Sequence, residues 1–368
     1  MTTNMTANMT VTNNATKLVC AIFPALFACS LSAAAQQPML AASTSPSPQQ
    51  IKLDVVVDTK SGQPVTTLGQ QDFTILDNKS SRPITSFKVV TGAQEPVSVI
   101  LFIDAVNTPY ELVASMRSAT ENFLKRNDGA LANPTAIAVL TDSGVQLPST
   151  FSANGMALSD DLEHREIGLR QITRSSQWGA GDRLTISIKA LHQLTFFASR
   201  LPGRKIILWI SPGFPLASGP EYSSLSSKAE QGIFGDVTYF STELRQNKIT
   251  LYNVDPVGTS QSTLSANYYE NFVKGVAKYD DAQLADLSIQ VLSAQTGGLD
   301  LVSDNDVASM IEKCVADANS WYEISFDPPP PDKPNEFHRI EVKLAHPGLI
   351  ARTRNGYYSN PTGFEPPH

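Results

Sequence analysis

Cysteine is nearly absent from this chain. Three occur in 368 residues, at Cys20, Cys29 and Cys314. The first two fall in an apolar stretch that reads as a secretory leader, so a processed chain keeps one thiol and has no intrachain disulfide. Charge is sparse too: 17% of residues are Asp, Glu, Lys or Arg, and the formal net charge is -7. There is no Lys/Arg-rich run and no interleaving of basic with aromatic residues, which excludes the electrostatic footprint of a nucleic-acid binder. The five histidines form no HExxH or similar pairing, and no Walker-type phosphate loop is present. Ile210-Ser211-Pro212-Gly213 lacks the first glycine of a nucleophile elbow, because Trp209 occupies that place. Cys314 falls on an apolar helical stripe without an evident activating base. The chain therefore gives no positive signal for an enzyme.

The N-terminal segment is a leader by its pattern. Lys17 precedes the apolar stretch Leu18 to Leu31, and Ala33-Ala34-Ala35 before Gln36 supplies small residues for cleavage. Pro24 interrupts the stretch, which is too short for a membrane span. Residues 1–35 are read as a signal peptide cleaved near Ala35, with Met5 and Met9 as alternative starts, and the mature protein is expected to be secreted or periplasmic. Leu26-Phe27-Ala28-Cys29 faintly resembles a lipoprotein box, although Phe27 is bulky where that motif prefers a small residue. Membrane attachment is expected only if Cys29 carries lipid.

Beyond a Ser/Pro/Gln linker at 36–50 the texture changes twice. Alternation at Ile51, Leu53, Val55 and Val57, then short strands at Phe73 to Leu76 and Ile84 to Val90, predict N-terminal strands of a β module over 51–92. This set supplies one apolar face and needs a lid. Over 97–319 strands alternate with helices. The strands are expected at Val97 to Ile103, Ala136 to Thr141, Lys205 to Ser211, Ile249 to Val254 and Leu299 to Val302. Helices are expected to start near Pro109, Asp182, Asp236, Asp280 and Asp304, since Asp is a favoured N-cap. Such alternation implies a mostly parallel sheet covered on both faces. Alternating strands return over 320–359, before a tail at 360–368. The expected fold is α/β, a doubly wound, mostly parallel sheet inserted into a small antiparallel β module.

The run Val97 to Ile103 ends abruptly in Asp104, followed by Ala105-Val106-Asn107-Thr108-Pro109 at a helix entrance. A carboxylate at the exit of a strand buried on both faces is a site candidate. These residues, together with Asp72-Phe73, Leu201-Pro202-Gly203-Arg204-Lys205, Trp209 to Pro215, Leu251 to Asp255, Thr296-Gly297-Gly298 and Arg352 to Tyr357, resemble exported bacterial proteins of the von Willebrand factor A-related group. The resemblance spans about 51–358. It implies strand order 3-2-1-4-5-6, with the exits of the first and fourth strands side by side at a topological switch point. It also implies a protein-binding, adhesion-type module that takes a protein or cell-surface ligand through a metal-ion-dependent adhesion site.

The chain departs from that group's ligand pattern. Asp104 matches the first ligand, Val106 and Thr108 replace two serines, and Ser211 stands where a later Asp belongs. The implied site is a degenerate one, with Asp104, Thr108, Asp182 and Ser211 as oxygen donors to weakly held Mg²⁺ or another divalent cation. Asn107 and Phe214 are the candidate ligand contacts. Plainer readings stand beside these. Asp104 caps the following helix, Asn107 is a turn residue, Asp182 is an N-cap, and Ser211 satisfies backbone groups at the strand end. Trp209 is expected in the core. Tyr268 and Tyr269 are an interaction loop or a plain insertion. A metal-free scaffold is the alternative function, and a hydrolase a distant one.

Overall fold

The computed structural model describes residues 50–92, 94–165, 177–214, 226–256, 268–302 and 306–359; the expected leader, Cys29, Asp304 and the tail lie outside the described residues. Four strands come first, β1 (Ile51–Thr59), β2 (Phe73–Asp77), β3 (Ser80–Arg82) and β4 (Ile84–Thr91). Strands and helices then alternate: β5 (Val97–Asp104), α1 (Tyr110–Lys125), β6 (Ala130–Thr141), β7 (Gly144–Gln146), β8 (Ser152–Asn154), α2 (Gly155–His164), α3 (Gln177–Ser199) and β9 (Arg204–Ile210). There follow α4 (Ser227–Gln246), β10 (Ile249–Asp255), α5 (Ile289–Thr296), β11 (Asp300–Val302) and α6 (Val307–Ala316). The last strands are β12 (Ser320–Phe326), β13 (Phe337–Leu344), β14 (Leu349–Arg352) and β15 (Gly356–Tyr358).

These elements make a mixed α/β fold with one mostly parallel sheet and two antiparallel ones. The first runs β11-β10-β9-β5-β6-β7, with β8 paired to β6. Read from β7 and numbered by chain order, leaving β8 aside, its order is 3-2-1-4-5-6. The pairs among β11, β10, β9, β5 and β6 are parallel, and β7 and β8 run antiparallel. Side-chain alternation sends Val99, Leu101 and Ile103 of β5 to one face, where α1, α2 and α6 cover them. Ile100 and Phe102 face the other side, under α3, α4 and α5. Each such buried side chain contributes about 1.5–3 kcal/mol, which is why a continuous apolar run, rather than an alternating one, marks the central strand.

Three expected helix starts are corrected. Asp182 is not an N-cap: α3 already includes Gln177, so Asp182 is an exposed residue within it. Asp236 also sits inside a helix, since α4 begins after Ser226, whose hydroxyl accepts from the Ala229 amide. Asp280 lies in a short 3-10 turn, and the helix that follows is capped by Ser288. Local Asp preference was the signal in each case, and Ser supplied the cap in two of them.

The antiparallel sheets are β14-β1-β12-β4 and β15-β13-β2-β3. Each joins strands from both ends of the chain: Ile51 pairs with Phe326 in the first, and Phe73 with Leu344 in the second. The two sheets are each other's lid, sharing a core that includes Leu53, Val55, Ile75, Tyr322, Phe326 and Tyr357. On the reverse of the first sheet Val56, Val90 and Trp321 pack into the core beneath the parallel sheet, so that sheet is a wall common to both. Buried polar ties complete the junction. Asp317 accepts two 2.8 Å hydrogen bonds from the Arg352 guanidinium and one of 2.8 Å from the Tyr252 hydroxyl, while Arg352 also reaches Asp58 at 3.1 Å. Within the sandwich the fully buried Asp77 meets His338 Nδ1 at 2.9 Å and the Tyr357 hydroxyl at 3.0 Å.

Candidate functional site

The end of β5 delivers Asp104 to the mouth of the parallel sheet, beside the end of β9, and its side chain is 0% exposed. A bare carboxylate there would be costly to bury, so its partners decide what the site is. Oδ1 accepts the backbone N–H groups of Val106 and Asn107, both at 2.9 Å. Oδ2 accepts the Asn107 side-chain amide at 2.7 Å and the Trp209 indole N–H at 2.8 Å. Burial pushes the Asp104 carboxyl above its ordinary range, while these donors and the Ser211 hydroxyl pull the other way. Its turn closes on residues before the helix. Asp104 therefore organises the loop and does not cap α1, whose N-cap is Pro109 with no side-chain bond.

The neighbours are held as firmly. The Asn107 amide also donates to Ser187 Oγ of α3 at 2.8 Å, tying the loop to the covering helix. Thr108 is fully buried, with its hydroxyl directed at Met116 Sδ, 3.7 Å away. Ser211 is fully buried, its N–H donating to the Val254 carbonyl at 3.0 Å and its Oγ accepting from the Gly213 amide at 3.0 Å. Gly213 has φ +89°, and a Cβ there would fall 2.3 Å from Gln290 Nε2. The Gln290 side-chain amide donates to the Pro212 carbonyl at 3.0 Å, so the loop lies directly on α5.

The structure thus brings together four of the six residues read from the sequence: Asp104, Asn107, Thr108 and Ser211. It does not bring in Asp182, which is exposed on α3 and whose side chain makes no hydrogen bond or ion pair among the described residues. Phe214 requires a correction. Gly213 and Pro215 beside it point to an exposed contact, but its side chain is 1% exposed and its ring lies 4.9 Å from that of Trp209, centroid to centroid. The loop folds back and uses Phe214 as core. Tyr269 is half-buried in a 3-10 turn.

Trp209 is the residue whose part the sequence understates. It belongs to the core as expected, 4.3 Å from Phe102 by ring centroids, yet its indole N–H is also the partner of Asp104. A signal exists: Trp209 in β9 and Ser211 just beyond its end share parity, which aims both toward the same face of the sheet. Ser187 has no comparable signal, since its role depends on how α3 crosses the sheet.

A divalent cation does not fit this arrangement. Mg²⁺ takes oxygen ligands in near-octahedral geometry. At Asp104 both oxygens already accept two N–H donors each, and an indole and an amide nitrogen stand in the positions next to Oδ2. Among the described residues no group of three His, Cys, Asp or Glu side chains is placed to hold a metal. Cys314 is fully buried, and burial raises its thiol pKa far above the ordinary value, away from nucleophile chemistry.

No protein-family model matches the chain, and no curated protein does. Among solved structures it is similar to proximal thread matrix protein 1 from the mussel byssus, at 10% identity and TM-score 0.35, covering 61% of this chain and 48% of that one. It is similar to the human COPII-coat protein Sec24c at 9% identity and TM-score 0.29, covering 74% and 46% respectively. It is also similar to the manganese-loaded Plasmodium vivax TRAP protein, at 8% identity and TM-score 0.32, covering 74% and 98%. The chain spans about half the length of the first two.

Proposed function

We propose that this chain is an exported, non-enzymatic scaffold or assembly module, built on an α/β unit of the von Willebrand factor A-related kind, that meets a protein or cell-surface partner without a cation at the crevice. One observation carries the reading: the Asp104 carboxylate accepts four N–H hydrogen bonds and is also met by the Ser211 hydroxyl, all from its own fold, so the group acts as a structural pin for the loop. This reading takes precedence over a metal-dependent adhesion site because the donor set leaves a cation no carboxylate to share. Calorimetric titration of Mg²⁺, Mn²⁺ and Ca²⁺ into the metal-free protein tests it. The expected result is no saturable heat and an unchanged melting temperature at millimolar cation. Stoichiometric binding would restore the metal-dependent reading.

Export rests on the leader-like pattern of residues 17–35. N-terminal sequencing and intact-mass measurement of native material are expected to give a chain beginning at Gln36 without lipid. A diacylated Cys29 at the N-terminus would make the protein membrane-anchored instead.

A further inference from the structure

Far along the chain from Asp104, a cavity of about 290 Å³ is lined by Lys52 and Asp54 of β1, Arg245 in the last turn of α4, Lys248 just beyond it, and Arg354 after β14. Four cations and one carboxylate on so small a surface stand out in a protein whose formal net charge is -7. Two of these charges are already matched elsewhere. Lys248 is paired with Glu323 at 2.6 Å and Glu95 at 3.5 Å, and Asp54 lies 3.6 Å from Arg204. What remains is Lys52, exposed at the rim, and the two guanidiniums.

Those guanidiniums are the anomaly. Arg354 is 8% exposed, and among the described residues neither it nor Arg245 has a hydrogen-bond acceptor or an ion-pair partner; Arg245 Nε is buried with nothing to bond. Arg204 and Arg352 differ in having acceptors for their terminal nitrogens, although Arg204 Nε, like that of Arg245, has none. Arg204 donates to the Asp317 carbonyl at 2.8 Å and stacks on Trp321, and Arg352 holds Asp317 and Asp58. Burial and the neighbouring Arg245 charge bring Arg354 down to about 9 against the pull of the Asp54 carboxylate, and burial also lowers Arg245. A guanidinium stays charged in proteins and presents five N–H donors, so two of them side by side without acceptors are a standing cost that an anion would remove. The end of a helix favours one basic residue electrostatically, but that does not account for a second one buried beside it.

We propose that this cavity binds a dianionic phosphate group, gripped by the forks of Arg245 and Arg354 with Lys52 at the mouth. Arg245, Arg354 and Lys52 together outweigh the Asp54 carboxylate by two charges, which suits a dianion, and phosphate oxygens accept the paired N–H bonds that guanidinium geometry offers. The volume falls at the lower edge of ligand pockets, suited to a phosphate and the first atoms of whatever it esterifies.

The test uses the full mature chain, followed by thermal melting and calorimetry with inorganic phosphate, glycerol phosphate and acetate. Saturable binding and a raised melting temperature are expected with phosphate, and not with acetate. Glycerol phosphate binding at least as tightly points to a phosphate monoester as ligand, and its failure to bind points to free phosphate; the assignment stands in both cases. Arg354→Met is expected to abolish the phosphate response while matching or exceeding the parent's stability in phosphate-free buffer, because an unpaired buried charge is gone. Lys52→Gln, at an exposed position, is expected to fold normally and to weaken phosphate about threefold. No response to phosphate at millimolar concentration, an equal response to acetate, or a response that survives Arg354→Met would each overturn the proposal.

Discussion

Asp104→Ala is expected to destabilise the protein by about 3–5 kcal/mol, a large share of the roughly 5–15 kcal/mol that holds a domain folded. The loss of the carboxylate strands the backbone amides of Val106 and Asn107 and the buried Trp209 indole, and leaves the Asn107 side-chain amide with Ser187 as its remaining partner. Each stranded donor costs about 1–3 kcal/mol before the loop relaxes. Asp104→Asn is the finer probe. It keeps one oxygen for the two backbone amides but turns an NH₂ group toward two other donors, so a smaller loss is expected. Trp209→Phe should then cost less in the Asp104→Asn background than in the parent, a coupling that a double-mutant cycle in denaturant reads directly. A change within about 0.5 kcal/mol for Asp104→Ala would mean that the loop does not depend on this carboxylate.

A chain ended at Asn319 is expected not to reach a monomeric folded state. It lacks β12, which lies between β1 and β4 and pairs with both. Two strands would then present open edges beside an uncovered apolar face, the condition that drives edge-to-edge association. The same cut removes Trp321 from the core beneath the parallel sheet, and Arg352 from Asp317. Size exclusion with light scattering and a thermal melt decide the matter. A monomer with the parent's melting temperature would show that the strands at the two ends of the chain do not depend on each other.

The parallel sheet was legible because its chemistry is local. The run from Val97 to Ile103 had to be buried on both sides, and the structure extends it by one residue, to Asp104 itself. Alternation likewise marked β1, β12 and β13 as strands, but it says nothing about which strand pairs with which. The expectation of one apolar face in need of a lid therefore became two facing sheets. Around the site, the residues on the Asp104 loop were legible from their position between a strand and a helix. Phe214 and Asp182 were not: the burial of one depends on a loop folding back over Trp209, and the place of the other on how far α3 extends before it. Arg245 and Arg354 carried no local signal at all, since they are more than a hundred positions apart and meet only through the third dimension.

The pairing of Ile51 with Phe326 also has a temporal meaning. During synthesis β1 leaves the ribosome while its partner, 275 positions later, does not yet exist. At about 5–20 residues per second the wait is roughly 15–55 s. Throughout it a segment apolar on one side and partly so on the other has no native neighbour. The sandwich can close only after the last strands emerge, so its N-terminal strands stay open for nearly the whole of translation. That delay favours a chaperone that holds the early strands until their partners arrive.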